Sequence, residues 1–589
     1  MAAIREEEQR NDPKIVERAA VKELAQLFNN LEIAAPGNKN QRVEHILAAI
    51  SDNLNIDPST FNFNDDPKLW PEAEASVDAE KWRLAYKDEL SSLKSMKVYT
   101  LIPPSEVPPD QKVRKGRTIF LKKRNEHGEV SRYKVRLVFK GFEQIYGKDY
   151  HSTTSPTARM EGQRILLHIA AVLGWDAQQI DVKTAFLYGL LPEDEIQFMR
   201  QPEGFAEPGK EDWVWRLERG LYGMKQSGRI WNKTLNEAMV SWGFTRLACE
   251  PCIYYCKTDN GTVITNVHVD DFLSIASDTA ENDRFKAQIK SIWTISELGP
   301  ATFCVGVAIS RDLKNHTVSL SQTALIDKVV SQFGQSESHP ISTPMDPGLK
   351  LRRPDRNSFT KDEKDRLSKL PYRSLVGCLI YLTVATRPNI AYAVQQLSQF
   401  LDSYSYAHWN AAIRVVRYLK GTRDLKLSLG GTSPLSLLGF TDSDWANCLD
   451  TRRSVGGYGF TLGSGLISWL ARKQKTVASS SCEAEYTAAF EASKEAIWLR
   501  TLLSELDITP SAATPLLCDN NAAITLSEDP SLHSRSKHFD IKYHFLRERV
   551  QSSEIHTAYI NTKDNLADIF TKALGPQQFL RLRKFIGLH

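Results

Sequence analysis

What this chain lacks narrows it first. Its 589 residues hold no apolar run of the roughly 18 to 20 residues that cross a bilayer; the best candidate, around Ser374 to Thr386, falls well short. No transmembrane helix is expected. The opening residues, MAAIREEEQRNDPK, are charged where a secretory signal is apolar, so the chain is expected inside the cell. Eight cysteines at this length do not make a disulfide framework. The tightest group, Cys249, Cys252 and Cys256, has a CxxC spacing but no second CxxC or HxxxH to finish four ligands, and reads as buried free thiols. Excess charge is also missing. Lys and Arg total 75 against 71 Asp and Glu, a net +4, so a nucleic-acid partner has to be argued from local clustering.

What is there is an ordinary globular composition, 41% apolar and 25% charged, which excludes wholesale disorder; the length suggests about four domains or subdomains. Residues up to about Glu74 mix helical patches with Asn- and Asp-rich stretches and read as a loose leader. Ala79 to Lys94 places Trp82, Ala85, Leu90 and Leu93 at near-helical spacing between charges. Between Gln111 and Lys148, twelve Lys or Arg stand against three Glu, a local +9. Within it, RTIFLKKRNEHGEVSRYKVRLVFKGF predicts two strands joined by a turn at Asn125 to Gly128, with Arg132, Lys134 and Arg136 on one face by period two. Such a face suits phosphate, and equally suits a solvated edge strand that blocks aggregation. After a Pro- and charge-rich stretch beginning at Ile341, a helical segment follows from Ser374. From about Leu435 the pattern reads strand, strand, strand, long helix, strand, helix, helix, strand, helix.

Two sets of carboxylates carry the chemistry. AQQIDVKTAFLYGLL ends a short apolar strand on Asp181, and NVHVDDFLSIA puts Asp270 and Asp271 at the tip of a tight hairpin between alternating apolar runs. Acidic pairs at a hairpin tip are ordinarily turn formers. A strand-end Asp 89 residues before an Asp-Asp hairpin, behind a cationic hairpin, suits two hard divalent cations that activate a hydroxyl for in-line displacement at phosphorus.

RYKVRLVFKGFEQIYGKDY, QIDVKTAFLYGLLPEDEIQFMRQPEGF, LYGMKQSGRIW, HVDD and PYRSLVGCLIYLTVATRPNIAYAV together resemble the reverse transcriptase of copia-type LTR retrotransposons, from roughly Trp82 to the C-terminus. The resemblance implies a right hand of fingers, palm and thumb. Asp181 and Asp270 would be metal ligands and Asp271 the supporting acid, on the argument that strand neighbours point to opposite sides. Phe186 would exclude a 2′-hydroxyl from the incoming nucleotide, with a core aromatic as the plainer reading. Gln226 would contact nucleotide and template. Lys134 and Arg136 are both candidates for the triphosphate, and the sequence does not choose between them. Gly306 would lie in the turn that grips the primer end. His268 stands where similar proteins usually carry Tyr.

In the second half, Asp442 ends a strand in LSLLGFTDSDWA, Glu485 lies early in a long helix, Asp519 ends a strand in PLLCDNNAA, and Asp568 opens a final helix in TKDNLADIFTKAL. Capping alone favours any one of these; the four in this order resemble the ribonuclease H fold. Glu485 is preferred to Glu483, which stays open. His533, His538 and His544 have a spacing that invites zinc, but no cysteine pair accompanies them and a packing or substrate-facing role is favoured. Asn561, Thr562 and Lys563 occupy the stretch where relatives often carry a mobile His.

The resemblance implies an α+β and α/β multidomain chain: a right-hand polymerase followed by a ribonuclease H-like mixed sheet with helices. Its expected division is a leader at 1–78, reverse transcriptase fingers and palm at 79–310, thumb and connection at 311–434, and a ribonuclease H-like domain at 435–589. Expected partners are an RNA template, a DNA primer, an RNA–DNA hybrid and deoxynucleoside triphosphates, with Mg²⁺ or alternatively Mn²⁺ and no membrane. The expected location is a cytoplasmic virus-like particle, with the nucleus as a second place. Aspartic protease, CCHC and HHCC motifs are absent, so the chain reads as the distal part of a longer polyprotein. Two rivals are a decayed copy that binds nucleic acid without catalysis, and a nuclease alone.

Overall fold

The computed structural model describes residues 66–124, 130–508, 510, 512–528 and 540–589. The leader to residue 65, the turn expected at Asn125 to Gly128, and His533 and His538 lie outside the described residues. Among the described residues, no helix is long and apolar enough to cross a membrane.

The helix Ala79–Ser95 buries Trp82, Tyr86, Glu89 and Leu93 along one stripe, the spacing of a single helix face. It lies on the basic hairpin, whose strands Gly116–Arg124 and Val130–Phe139 pair antiparallel with Ile119 opposite Arg136 and Leu121 opposite Lys134. Val135, Leu137 and Phe139 are buried, so the alternate residues Arg132, Lys134 and Arg136 share the other face. A four-stranded sheet beside it runs in the order Tyr99–Ile102, Val214–Leu217, Gln197–Arg200, Val113–Arg114.

The sheet that carries the first acids has six antiparallel strands, in the order Ile295–Pro300, Asp176–Val182, Asp271–Ala276, Gly261–His268, Ile253–Thr258, Thr245–Arg246. Ile180, Val182 and Phe272 pack with Phe285 and Ile289 of the helix Thr279–Ile292. Ala177, Leu273 and Ile275 pack with Ile165 and Ile169 of the helix Met160–Val172. The alternation puts one helix on each face.

A four-stranded sheet of Phe303–Cys304, Val307–Asp312, Thr317–Ser321 and Leu427–Gly430 follows. Helices Tyr372–Ala385, Ala391–Ser398 and Tyr406–Gly421 lie between its third and fourth strands in the chain. The last sheet is mixed, in the order Gly465–Lys473, Val455–Leu462, Leu437–Asp444, Thr514–Cys518, Ile555–Tyr559. Its first three strands are antiparallel and the other two run parallel to Leu437–Asp444. The long helix Ser481–Glu505 packs on it. With the order of elements expected from residue 435 onward, this is the ribonuclease H-like arrangement, behind a polymerase-type α+β body.

The two halves are joined by buried polar contacts. Arg159 pairs with Glu495 at 3.1 Å, and its guanidinium lies 3.4 Å from the ring centroid of Trp498. The Arg164 Nε–H donates to the Ile467 carbonyl at 2.8 Å, and within the second half the Ser468 hydroxyl donates to the same Glu495 at 2.7 Å.

Candidate functional site

Asp181 is the penultimate residue of its strand and lies directly opposite Asp271 across the ladder. Asp270 occupies the turn between His268 and Asp271, and the Val182 N–H donates to its carbonyl at 2.9 Å. Three acids therefore meet at one end of the sheet. The argument that Asp270 and Asp271 are strand neighbours on opposite sides is corrected here: Asp270 is a turn residue, and it is the turn that separates the two carboxyls. Of the two central turn residues only Val269 has positive φ, +59°, the type II′ pattern whose first position is ordinarily glycine. A β-branched residue there stores about 1–3 kcal/mol of strain. The Trp231 indole N–H donates to the Val269 carbonyl at 2.8 Å and pins the turn.

Burial, then the neighbouring Asp181 charge, pushes the Asp270 carboxyl above its ordinary value, while Arg136 and Lys134 pull it back. Both cations of the hairpin thus face the acids. The Arg136 guanidinium lies over the Tyr222 ring at 4.7 Å and its buried Nε–H has no acceptor among the described residues. Tyr222, its phenol pushed up to about 12 chiefly by burial, meets the half-buried Phe186 edge-on with centroids 5.4 Å apart. Phe186, Arg136, Asp181 and Asp270 therefore all lie near Tyr222. His268 and Asp271, which pair across the hairpin, line a recess with Arg159, Met160, Cys304 and Val305, and desolvation holds the His268 imidazole below its ordinary value.

Gly306 and Val305 form the two-residue turn between Cys304 and Val307, both at positive φ, +67° and +46°, the type I′ pattern. A Cβ on Gly306 would stand 2.5 Å from the Tyr381 hydroxyl, which itself donates to the Val305 carbonyl at 2.6 Å. The turn reaches the His268 recess through Val305, and Gly306 acts by letting Tyr381 close against it. Gln226 departs from expectation. It is fully buried, accepts from Gln144 Nε2 at 3.0 Å and donates to the Asp149 carbonyl at 3.1 Å. Asp149 is in turn paired with buried Arg114 at 2.6 Å. Gln226 braces the loop after the basic hairpin.

In the mixed sheet, Asp442 lies opposite Gly457, Glu485 is on the first turns of the long helix, Asp519 directly follows its strand, and Asp568 opens a four-residue helix. The Ser443 N–H donates to Glu485 Oε1 at 3.1 Å, which seats that carboxylate beside Asp442. Glu483 instead accepts from the Ser479 N–H at 2.7 Å while its own N–H donates to Ser480 Oγ. Glu483 closes the helix N-terminus and Glu485 faces the sheet. A Cβ on Gly457 would stand 2.7 Å from Phe570 Cβ, so this glycine lets the short helix lie against the strand and bring Asp568 to Asp442.

Burial, reinforced by Asp568 and Asp519 and opposed by Lys572, pushes the Asp442 carboxyl up to about 7. Burial, then Asp442 and Asp519, drives Glu485 well above its ordinary value. Carboxylates crowded so that each raises the other form a donor set for a divalent cation, and all are the hard oxygens that Mg²⁺ takes. An oxygen each of Glu485 and Asp519 and the Cys518 Sγ lie within 4.8 Å of one another. Burial keeps the Cys518 thiol protonated and it donates to Glu485, which leaves the oxygens as ligands.

The description "reverse transcriptase (RNA-dependent DNA polymerase)" belongs to the sequence family that matches residues 96–347. The Pol polyprotein of the tobacco transposon TNT 1-94 is 37% identical over 525 residues, 89% of this chain and 39% of that protein. The Pol polyprotein of the Arabidopsis thaliana transposon RE2 is 35% identical over 86% of this chain and 34% of its own length. The putative transposon Ty5-1 protein of Saccharomyces cerevisiae is 32% identical over 316 residues, 98% of its length. This chain belongs to the copia-type retrotransposon Pol family. It spans 39% and 34% of the length of the two plant polyproteins. Among solved structures, a foamy viral protease-reverse transcriptase with double-stranded DNA is similar over 92% of this chain and 82% of its own, with TM-score 0.43 and 11% identity.

Several supports of this copia-type chain were not read from the sequence. Tyr222 and Trp231 sit inside LYGMKQSGRIW, and their aromatic character was the available signal. Lys572 and Thr571 carried none: the Thr571 hydroxyl donates to Asp442 Oδ2, and Lys572 bonds Asp442 and Asp568.

Proposed function

We propose that the chain is an RNA-directed DNA polymerase joined to a ribonuclease H, copying an RNA template into DNA and then degrading the RNA of the hybrid. The observation that carries this reading is the convergence of Asp181, Asp270 and Asp271 at one end of a sheet, faced by Arg136 and Lys134, in a chain with a reverse transcriptase domain. Asp181 and Asp270 would hold Mg²⁺ or Mn²⁺ in the palm, and Asp442, Glu485, Asp519 and Asp568 in the second site. When bound, such cations supply Lewis acidity to both the attacking and the leaving oxygen of a displacement at phosphorus.

The protein's own groups do the rest. Arg136, over the Tyr222 ring and with a buried Nε–H that has no acceptor among the described residues, is the better placed of the two candidate cations to take a triphosphate oxygen, with Lys134 beside it. Phe186, braced by Tyr222, excludes a 2′-hydroxyl from the deoxynucleotide pocket. The Val305–Gly306 turn and His268 face the primer side. In this reading residues 79–310 are fingers and palm, 311–434 thumb and connection, and 435–589 the nuclease domain. Both acid sets are complete and assembled, which favours an active enzyme over a decayed copy.

The test is primer extension by the purified chain on a primed RNA template with Mg²⁺ and deoxynucleotides, beside Asp270→Asn. The parent should extend and the variant should lose several orders of magnitude, while cleavage of a labelled RNA–DNA hybrid persists in Asp270→Asn and disappears in Asp442→Asn. Equal extension by parent and Asp270→Asn refutes the palm assignment.

A further inference from the structure

Four carboxylates meet in the nuclease domain, and two of them are closed by a cation that belongs to the chain. The Lys572 Nζ lies 2.7 Å from Asp568 Oδ1 and 3.2 Å from Asp442 Oδ1. The remaining oxygens of the same two acids are also engaged: Thr571 Oγ1 donates to Asp442 Oδ2 and Gln578 Nε2 donates to Asp568 Oδ2 at 3.2 Å. The other half of the cluster differs. Among the described residues, neither Glu485 nor Asp519 has an ion-pair partner within 4.0 Å, and their oxygens approach each other within 4.8 Å. The cluster is split into a half satisfied by an ammonium and a half with nothing of positive charge bound to it.

A divalent cation needs carboxylate oxygens at about 2.0 to 2.2 Å, and an ammonium lying between Asp442 and Asp568 fills the same space with the same sign of charge. We propose that Lys572 is an internal competitor for the cation shared by Asp442 and Asp568. It holds that position in the metal-free enzyme and swings out when the second ion binds, so that the Glu485–Asp519 side is loaded first. The side chain is built to leave: it sits on an extended residue just past the short helix, is 30% exposed, and carries its charge on a flexible four-carbon stem. A purely structural staple between the short helix and the central strand predicts the same contacts but no competition. The inference rests on the ribonuclease H reading, and the experiment separates the two.

The full chain is taken in an Asp181→Asn, Asp270→Asn background so that the palm does not contribute, and Mn²⁺ alone is titrated by calorimetry and by electron paramagnetic resonance of the free ion. With Lys572 present, one Mn²⁺ should bind tightly and a second weakly. Lys572→Met should tighten the weaker site at least tenfold and lower the melting temperature of the metal-free chain, with Mn²⁺ restoring it. Lys572→Arg, which keeps the charge, should retain the weak site and shows that a shift in Lys572→Met is not a folding defect. An unchanged weaker site in a folded Lys572→Met chain overturns the competitor role and leaves the nuclease reading standing. Mn²⁺ binding that is indifferent to Asp442→Asn overturns both.

Discussion

At the scale of single residues, the acids of the proposed nuclease site are held in a state that the unfolded chain does not share. Asp442 ionises near 3.8 when exposed and about 7 in the folded protein. The folded state therefore binds more protons than the unfolded one between these values, and without a divalent cation stability falls as pH rises through that window. Asp442→Asn should remove this loss and raise the stability of the metal-free chain above pH 7 by about 1–3 kcal/mol. Thermal melts in a chelator from pH 5 to 8 check it, and a variant that melts lower than the parent across that range contradicts the electrostatic account. Phe186 is the second residue whose role is local. Phe186→Ala should lower discrimination against ribonucleotides by about 10- to 100-fold with a smaller effect on deoxynucleotide incorporation, read as the ratio of kcat/KM values. A ratio that does not move returns Phe186 to the core.

At the scale of elements, the site geometry depends on close backbone approach. The Asp568 helix is only four residues long, Asp568–Thr571, too short to hold its own position by helix stability. It is placed by the glycine-rich strand beneath it. Gly457→Val should push Phe570 and Thr571 away from Asp442, abolish hybrid cleavage and leave primer extension on the distant palm within a few-fold of the parent. Loss of both activities together would mean that the strand supports the whole fold rather than one helix. The palm hairpin follows the same logic by another device: a strained Val269 turn is kept in place by the Trp231 indole.

At the scale of the whole molecule, charged groups are buried between the two halves. Arg159 and Glu495 are 4% and 7% exposed and pair at 3.1 Å; removing one partner leaves the other buried without it. Glu495→Ala should cost about 1–3 kcal/mol, because Arg159 keeps Glu161 at 3.6 Å, and depress both activities, while Arg159→Met combined with Glu495→Leu should recover most of the stability. Denaturant midpoints decide this. A loss below about 1 kcal/mol would show that the apolar contacts alone hold the halves together.

The order of elements, the two sets of acids and the cationic face of the basic hairpin were legible in the chain. Periodicity and strand-end placement depend on neighbours a few residues away, so Asp181 and Asp519 lie at strand ends as the local pattern put them, whereas the strand expected to end on Asp442 continues to Asp444 and the helix opened by Asp568 stops at Thr571, before the final helix Pro576–Phe585. Three things were decided only in space. Gln226 sits in a motif shared with relatives, yet a motif does not say which way a side chain points, and here it points inward to Gln144 and Asp149. Glu483 and Glu485 are indistinguishable by spacing until the strand beside the helix offers the Ser443 N–H to one of them. Lys572 is 130 positions from Asp442, and no local pattern marks an ammonium that will lie between two distant carboxylates. Sequence determined which groups could do chemistry, because identity and local period suffice for that; tertiary structure decided which of them meet, because that follows from packing between segments remote in the chain.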